Sequence, residues 1–155
     1  MAVNRKKERR VLAVASGGGH WVQLLRLRPA FEGASLLYVT TRAPSTRDMV
    51  GSTVRVVPDG NMDSKLSLIL TALHMAYHIA RFRPHVVVST GAAPGFIALV
   101  FGKLIGSRTI WLDSVANSES LSLAGRKVRR WADHWLTQWP ELATPEGPHY
   151  VGAVL

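Results

Sequence analysis

The sequence contains no cysteine, which excludes disulfides, thiolate nucleophiles and cysteine-ligated zinc together. It also lacks any run of the roughly 20 apolar residues that a membrane-spanning helix needs. No signal peptide is recognisable, because the apolar run Val11–Ala15 after the basic start is short and leads into glycine. The absence of cysteine fits a reducing compartment, so we expect a cytoplasmic location.

Acidic residues are scarce: 10 Asp and Glu face 19 Lys and Arg, giving a formal net charge of +9 at pH 7. This charge attracts anions but does not choose among nucleic acid, anionic lipid and phosphorylated metabolites. Much of it lies in two patches, Arg5–Arg10 and Arg126–Arg130, which solvated surface would also explain. Because no nucleic-acid-binding motif accompanies the patches, we expect an anionic membrane surface and no nucleic-acid partner.

The chain has 155 residues, 47% of them apolar, which is enough for one domain with a buried core. Short β-branched runs predict strands at Val11–Ala15, Ser35–Thr40, Val54–Val57, His85–Ser89, Thr109–Leu112 and, with a weaker pattern, Trp135–Thr137. Helical patterns lie between them at Trp21–Arg28, Ser64–Arg83, Gly95–Leu104 and Leu121–Ala132. The alternation predicts a single Rossmann-like α/β domain with a doubly wound parallel sheet over residues 11–155, preceded by a basic segment at 1–10.

The loop after the first predicted strand is rich in glycine and ends at a histidine. It consists of Ser16, Gly17, Gly18, Gly19 and His20. Glycines let the backbone approach a ligand and expose N–H groups to an oxyanion, although they would also serve a tight turn. His20 is suited to act as a general base or to bind phosphate, but capping and packing remain alternatives. We expect a phosphate-binding loop here.

Two further loops follow predicted strands, where ligands of open parallel sheets gather. The first has small residues that leave room for a ligand: Thr90, Gly91, Ala92 and Ala93. The second begins with Asp113 and Ser114, which are suited to bind hydroxyl groups or the surroundings of a pyrophosphate. A plain turn in the first loop and a helix-capping role for Asp113 are equal alternatives.

The residues at the end of the second predicted strand indicate whether a dinucleotide cofactor would bind. NAD-binding domains place an acidic residue there, whereas this chain has Val39, Thr40, Thr41 and Arg42. NAD is therefore disfavoured, and Arg42 leaves an NADP-dependent reductase as a minor alternative. His74 and His78 stand one helical turn apart but lack the adjacent glutamate and third ligand of a zinc site. We expect neither a cofactor nor a metal.

The longest predicted helix carries two apolar stripes. The stripe expected to face the core comprises Leu66, Ile69, Leu70, Leu73 and Tyr77, continued by Ala80. The stripe expected to be exposed comprises Leu68, Ala72, Met75 and Ile79. An exposed apolar stripe requires cover from lipid, a partner or the chain itself, so we assign it to membrane or partner contact, with further core burial as the alternative.

Several stretches together resemble the family of asparagine-linked-glycosylation protein fourteen and its bacterial relatives in capsule and exopolysaccharide synthesis. They are Ser16–His20 with Gln23–Leu25, Val39–Thr41, Ser89–Gly95, Gly102–Leu104, Leu121–Gly125 and Gln138–Leu142. The resemblance spans Arg10 to Gly152. It implies half of a GT-B glycosyltransferase, equivalent to the acceptor-binding N-terminal domain.

What the resemblance implies is a membrane-associated, acceptor-binding subunit of a UDP-sugar-dependent hexosyltransferase in polysaccharide synthesis. A partner chain resembling asparagine-linked-glycosylation protein thirteen would bind most of the nucleotide sugar, and this chain alone would have little or no activity. The loops at Ser16–His20 and Thr90–Pro94 would face the pyrophosphate of a lipid-linked acceptor, with Asp113 nearby and His20 as the candidate base. A non-catalytic docking protein is the alternative.

Two features depart from the family. Eukaryotic members have a spanning N-terminal helix, and Asp113 stands where bacterial relatives usually have glutamate. We therefore expect peripheral attachment to the cytoplasmic face of the inner membrane. The residues assigned to membrane or partner contact are Arg5, Lys6, Lys7, Arg9, Leu68, Met75, Ile79 and Trp139.

Overall fold

A computed structural model describes residues 8–45, 47, 51–60 and 64–154, so Arg5, Lys6 and Lys7 lie outside the described residues. Within them, seven parallel strands form one sheet in the order β3-β2-β1-β4-β5-β6-β7. The strands are β1 Arg10–Val14, β2 Ser35–Thr40, β3 Thr53–Val56, β4 Val86–Ser89, β5 Arg108–Leu112, β6 His134–Thr137 and β7 His149–Tyr150. The predicted α/β fold with a parallel sheet is confirmed.

Four α-helices are described: α1 Gly19–Arg26, α2 Lys65–Phe82, α3 Ala92–Leu104 and α4 Leu123–Lys127. Short 3₁₀ turns follow at Arg28–Phe31, Val128–Arg130 and Pro140–Leu142. The prediction of one helix over Leu121–Ala132 is wrong in extent, because α4 gives way to a 3₁₀ turn. Strand β7 was missed because two residues are too short to show an alternating pattern.

The direction in which the strands are added reverses between β1 and β4. From β1 the chain builds outward through β2 to β3, and it then returns to add β4 on the other side. Val14 at the end of β1 therefore pairs with Val39 of β2 and Ser89 of β4. At such a switch point the loops that leave two neighbouring strands diverge to opposite faces, and ligands of parallel sheets bind in the crevice between them.

Side chains alternate between two cores on the faces of the sheet. Leu12 and Val14 of β1 belong to the larger core, to which α2 and α3 contribute. Ala13 and Ala15 belong to a smaller core, where Trp21 of α1 packs edge-on to Tyr38 of β2 with ring centroids 5.5 Å apart. Helices thus cover both faces, as a doubly wound sheet requires.

The two stripes of α2 lie opposite to their predicted orientation. Met75 and Ile79 are buried in the larger core, so their expected exposure is wrong, and Leu68 is half-buried. The stripe predicted to face the core is exposed, with Leu66 67%, Leu73 62% and Tyr77 64% accessible. We call the exposed set, Leu66, Ile69, Leu70, Leu73 and Tyr77, the outer stripe.

Thr71 gives the physical reason for this orientation. It is fully buried on the same face as Met75 and Ile79, and its hydroxyl lies 2.8 Å from the Pro58 carbonyl and 2.9 Å from the Ser67 carbonyl, which share its proton. The contact with Pro58 joins this face of the helix to the preceding segment. A sequence pattern counts threonine as polar and so favours the other stripe, whereas the hydrogen bond removes the cost of burying the hydroxyl.

Replacing Met75 by alanine should lower the free energy of unfolding by about 2–5 kcal/mol, because the change leaves a cavity in the larger core. Leu73→Ala on the outer stripe should change it by no more than about 0.5 kcal/mol. Urea denaturation of both variants measures the difference. The opposite ranking would restore the orientation predicted from the sequence.

Candidate functional site

Helices α1 and α3 begin side by side at the carboxyl ends of β1 and β4. Their N-cap residues are Gly18 and Gly91, and neither provides a side-chain cap. In contrast, Ser64 and Ser122 cap α2 and α4 through their hydroxyl groups. The first-turn amides of α1 and α3 therefore lack a side-chain acceptor at the positive ends of two helix dipoles, an arrangement typical of anion-binding sites.

His20 links the two loops at this edge. Its Nδ1 lies 3.0 Å from the Thr90 carbonyl oxygen, and the buried Thr90 hydroxyl donates back to the His20 carbonyl at 2.7 Å. A carbonyl oxygen only accepts, so this bond requires the proton on Nδ1. In the neutral ring the lone pair then lies on Nε2, which makes no protein hydrogen bond within the described residues. The ring is thereby fixed in the form that can accept a proton at Nε2.

The backbone beside His20 has an unusual conformation. A Cβ on Gly91 would lie 2.7 Å from Cε1 of the imidazole, and the φ of Gly91 is 134°. The next residue, Ala92, has a φ of 67°, a left-handed conformation that costs a non-glycine residue roughly 1–2 kcal/mol. Strain of this kind occurs at sites where the surroundings require one backbone shape.

The three glycines of the first loop differ in the structural constraint that requires glycine at each position. Gly17 lacks room for a Cβ, which would come within 2.8 Å of Cδ of Arg42. Gly18 has a φ of 74°, as a tight turn would require. Gly19 has neither constraint, since an added Cβ would meet open space. A tight turn therefore does not account for Gly19, and the space beside it is free for a ligand.

Arg42 adds positive charge to this edge. It follows β2, and its aliphatic stem packs over Gly17, whose amide donates to the Thr41 hydroxyl at 3.2 Å. The loops after β1, β2 and β4 thus lie next to one another, and the guanidinium group is exposed to solvent. An exposed arginine next to free amide groups favours a phosphate-bearing ligand.

Asp113 is buried, and its carboxyl accepts four hydrogen bonds from the protein. Oδ1 accepts from Trp111 Nε1 at 3.1 Å and from the Ser122 hydroxyl at 2.6 Å. Oδ2 accepts from Asn117 Nδ2 at 3.1 Å and from the Ser122 amide at 2.9 Å. Four donors match the capacity of a carboxylate. This geometry favours a structural role for Asp113, although Asp113 is not itself the helix cap: it holds Ser122, which caps α4.

Two buried glutamines form a polar network that sequence analysis did not assign. Gln23 of α1 donates to the Ser114 hydroxyl at 3.0 Å and accepts from the Val115 amide at 3.0 Å. Gln138, after β6, donates to Gln23 Oε1 at 2.6 Å and to the Asp113 carbonyl at 2.9 Å. The two glutamines are 115 residues apart, so no local spacing relates them. Ser114 is thus a member of the network.

The remaining predicted contact residues are spread over the molecule. Trp139 is half-buried, and its indole N–H donates to the Val115 carbonyl at 2.8 Å. Arg9 is exposed just before β1.

Within the described part of the chain, no three His, Asp or Glu side chains are arranged to hold a metal ion. The described helices include none that is long and apolar enough to span a bilayer.

Sequence comparison relates the chain to one family. The profile described as "Oligosaccharide biosynthesis protein Alg14 like" matches residues 39–154. The "UDP-N-acetylglucosamine transferase subunit ALG14" of Eremothecium gossypii is 29% identical over 135 residues, which cover 83% of this chain and 51% of that protein. Its counterpart in Rattus norvegicus is 23% identical over 164 residues, covering 85% and 76%. The chain thus spans about half of the fungal relative.

Structural comparison gives the fold. Acinetobacter baumannii MurG superposes with a TM-score of 0.72 at 12% identity, covering 94% of this chain and 45% of that one. The UDP-N-acetylglucosamine 2-epimerase of Rickettsia bellii superposes with a TM-score of 0.65 at 10% identity, covering 95% and 45%. These structures have the GT-B fold, and at such low identity the likeness concerns the fold alone.

Asp113→Ala should destabilise the domain by on the order of 3 kcal/mol, because it leaves the Ser122 amide and the Trp111 indole N–H buried without their acceptor. Urea denaturation measures the loss. Glu119→Ala is the matched control, since Glu119 is an exposed carboxylate of the same loop. Unchanged stability in Asp113→Ala, combined with lost ligand binding, would instead make Asp113 a ligand-contacting residue.

Proposed function

Because this chain belongs to the family of Alg14-like oligosaccharide biosynthesis proteins, we propose that it is the acceptor-binding subunit of a two-chain glycosyltransferase. The enzyme would transfer N-acetylglucosamine from its UDP derivative to a lipid-pyrophosphate-linked acceptor in polysaccharide synthesis. The curated relatives are named as subunits of a UDP-N-acetylglucosamine transferase, and these names support both the identity of the sugar donor and the role as a subunit.

The observation that carries the proposal is the pair of uncapped helix starts at the switch point. The N-termini of α1 and α3 lie after neighbouring strands, with the open space at Gly19 and the exposed Arg42 beside them. A pyrophosphate has two phosphoryl groups, and two adjacent helix starts supply amide donors for both. Backbone amides bind phosphate oxygens without reading a base, which suits an acceptor pyrophosphate.

His20 would act as the general base. As the acceptor hydroxyl oxygen attacks the anomeric carbon, its proton passes to Nε2 of His20, and the bond between that carbon and the diphosphate oxygen breaks. The electron pair of the broken bond leaves with UDP. The hydrogen bond from Nδ1 to the Thr90 carbonyl favours this role, because it keeps the base-competent tautomer in place.

The donor site would lie mostly on a partner chain, one that resembles asparagine-linked-glycosylation protein thirteen. The described α/β unit corresponds to 45% of a MurG chain, so a second unit, on the partner chain, would complete the cleft. The carboxyl edge of the sheet, with His20 and the two helix starts, would face the partner across the cleft. This chain would contribute no cofactor site of its own.

The outer stripe of α2 supports peripheral attachment to the cytoplasmic face of the inner membrane. Its five large apolar side chains are exposed on one helix whose residues include no Asp or Glu. Partial burial, with Arg55 and His74, lowers the pKa of His78 below its usual value, and the helix also carries the positive charges of Lys65 and Arg81. Apolar and basic residues together favour an anionic bilayer. Arg5, Lys6, Lys7 and Arg9 would add attraction to the same surface.

His20→Gln should lower kcat of the two-chain enzyme about 10²–10⁴-fold, because the general base is lost. The assay follows labelled N-acetylglucosamine from its UDP derivative to a phytanyl-pyrophosphate-linked sugar, using this chain co-purified with its donor-side partner. His134→Gln, an exposed histidine at the opposite edge of the sheet, should leave kcat unchanged. Unaltered turnover in His20→Gln with an intact complex would favour a docking protein, and full activity of this chain alone would exclude the two-chain enzyme.

Flotation with vesicles that contain anionic phospholipid should recover the wild-type chain at low salt and less of it at high salt. Leu70→Ser combined with Leu73→Ser should reduce the recovered fraction at least fivefold, because both residues belong to the outer stripe. The matched control is a pair of conservative changes, Leu70→Met with Leu73→Met, which should still float. Equal flotation of the serine and methionine variants would remove the outer stripe from membrane contact.

A further inference from the structure

Gln138 takes part in a set of hydrogen bonds whose directions are fixed. The Val154 amide can only donate, so the atom of Gln138 that faces it at 2.8 Å is the acceptor Oε1. Nε2 of Gln138 therefore points to Oε1 of Gln23 at 2.6 Å and to the Asp113 carbonyl at 2.9 Å. The Val115 amide donates to the same Gln23 oxygen at 3.0 Å, which fixes the second side chain independently. Each side-chain amide thus has one orientation that satisfies these contacts.

Helix α1 presents three polar side chains at a spacing of three residues, and each bonds a different part of the chain. His20 bonds the loop after β4, and Gln23 bonds the loop after β5. Arg26 donates to the Val154 carbonyl at 3.2 Å. Because residues three apart are neighbours on a helix surface, these contacts hold one side of α1 from its first turn to its last.

The contacts decide where α1 lies, because the helix is too short to be stable alone. It has eight residues and no side-chain cap, and isolated helices shorter than about 12–15 residues are marginal in water. Trp21 and Leu24 pack into the smaller core, but apolar burial has no direction of its own. The rotation of α1, and with it the direction of Nε2 of His20, therefore depends on the hydrogen bonds.

We propose that Gln138 is a positioning residue for His20. Gln138 is 3% exposed, and within the described residues its hydrogen bonds go to Gln23, Asp113 and Val154, so it acts on His20 through Gln23. It joins α1 to the loop after β5 and thereby sets the point at which Nε2 of His20 meets the acceptor hydroxyl. The role of this nitrogen as the base rests on the proposed function. An error of about 1 Å in such a position costs as much as 10²-fold in rate.

Gln138→Met, which keeps the length of the side chain and removes its hydrogen bonds, should lower kcat of the two-chain enzyme about 10-fold to 10²-fold. The KM for the UDP sugar should stay within about twofold, because the donor site would lie mostly on the partner chain. Thr109→Val is the matched control. It also removes buried hydrogen bonds, from the Thr109 hydroxyl to the Trp131 carbonyl and from the Asp133 amide, but at the opposite edge of the sheet. It should leave kcat unchanged.

A double substitution tests whether Gln138 acts through Gln23. Gln23→Met alone should lower kcat as Gln138→Met does, because it breaks the same hydrogen bond from the side of α1. Adding Gln138→Met to Gln23→Met should lower kcat no further, since the residue through which Gln138 acts is already gone. Gln23→Met also keeps the proposal open to refutation if Gln138→Met fails to fold.

The tautomer of His20 gives a readout that needs no sugar transfer. In ¹⁵N spectra of the full chain with a neutral ring, wild-type His20 should carry its proton on Nδ1 alone, because that atom donates to the Thr90 carbonyl. Gln138→Met and Gln23→Met should each give a mixture of the two tautomers, because a rotated α1 weakens this bond. Thr109→Val should keep the wild-type spectrum, and His20→Gln identifies the signal by its loss.

The outcomes separate this proposal from the proposed function. Unchanged His20 spectra in both methionine variants would overturn the positioning role whether or not the complex transfers sugar. Equal kcat in Gln138→Met and Thr109→Val, or a further loss on the Gln23→Met background, would overturn it as well. Altered spectra in a wild-type complex that transfers no sugar would support the coupling of Gln138 to His20 and reject the proposed function alone.

Discussion

The contact between His20 and the Thr90–Gly91 backbone is the interaction on which the candidate site depends. Two reciprocal hydrogen bonds join the loop after β1 to the loop after β4, and the imidazole packs where any side chain at position 91 would stand. This contact brings the starts of α1 and α3 together and selects the tautomer of the histidine. The strained Ala92 conformation is tolerated because the loop is held from both sides.

A second set of polar contacts holds α1, the helix that begins at His20's loop, against the segments after β5 and β6. Gln23 and Gln138 connect α1 to the segments after β5 and β6, and the Gln138 side chain also accepts from the Val154 amide at 2.8 Å. Asp113 fixes the start of α4 in the same region. Buried polar groups with satisfied hydrogen bonds specify one arrangement of their partners. Residues close to the C-terminus thereby contribute to the position of the glycine loop.

Six of the seven strands, the approximate positions of the first three helices and the convergence of the loops followed from sequence, because they depend on local pattern and on the geometry of parallel sheets. The orientation of α2 did not, since the buried Thr71 hydroxyl finds its acceptor in Pro58, a contact that no periodicity reveals. The network of Gln23 and Gln138 was missed for the same reason: residues 115 positions apart meet only in the folded chain. The sequence does not decide the role of Asp113, because a carboxylate after a strand suits both a ligand-binding residue and a helix cap.

The outer stripe of α2 has a consequence for the rate at which the proposed enzyme would find its acceptor. A protein held at a bilayer by one helix face searches in two dimensions, and its encounters with a lipid-linked acceptor follow the mole fraction of that lipid in the membrane. Dilution of the acceptor by other lipids would then slow turnover, even when the total amount of acceptor in the sample stays constant. The helix surface would in this way make the composition of the membrane a kinetic variable of sugar transfer.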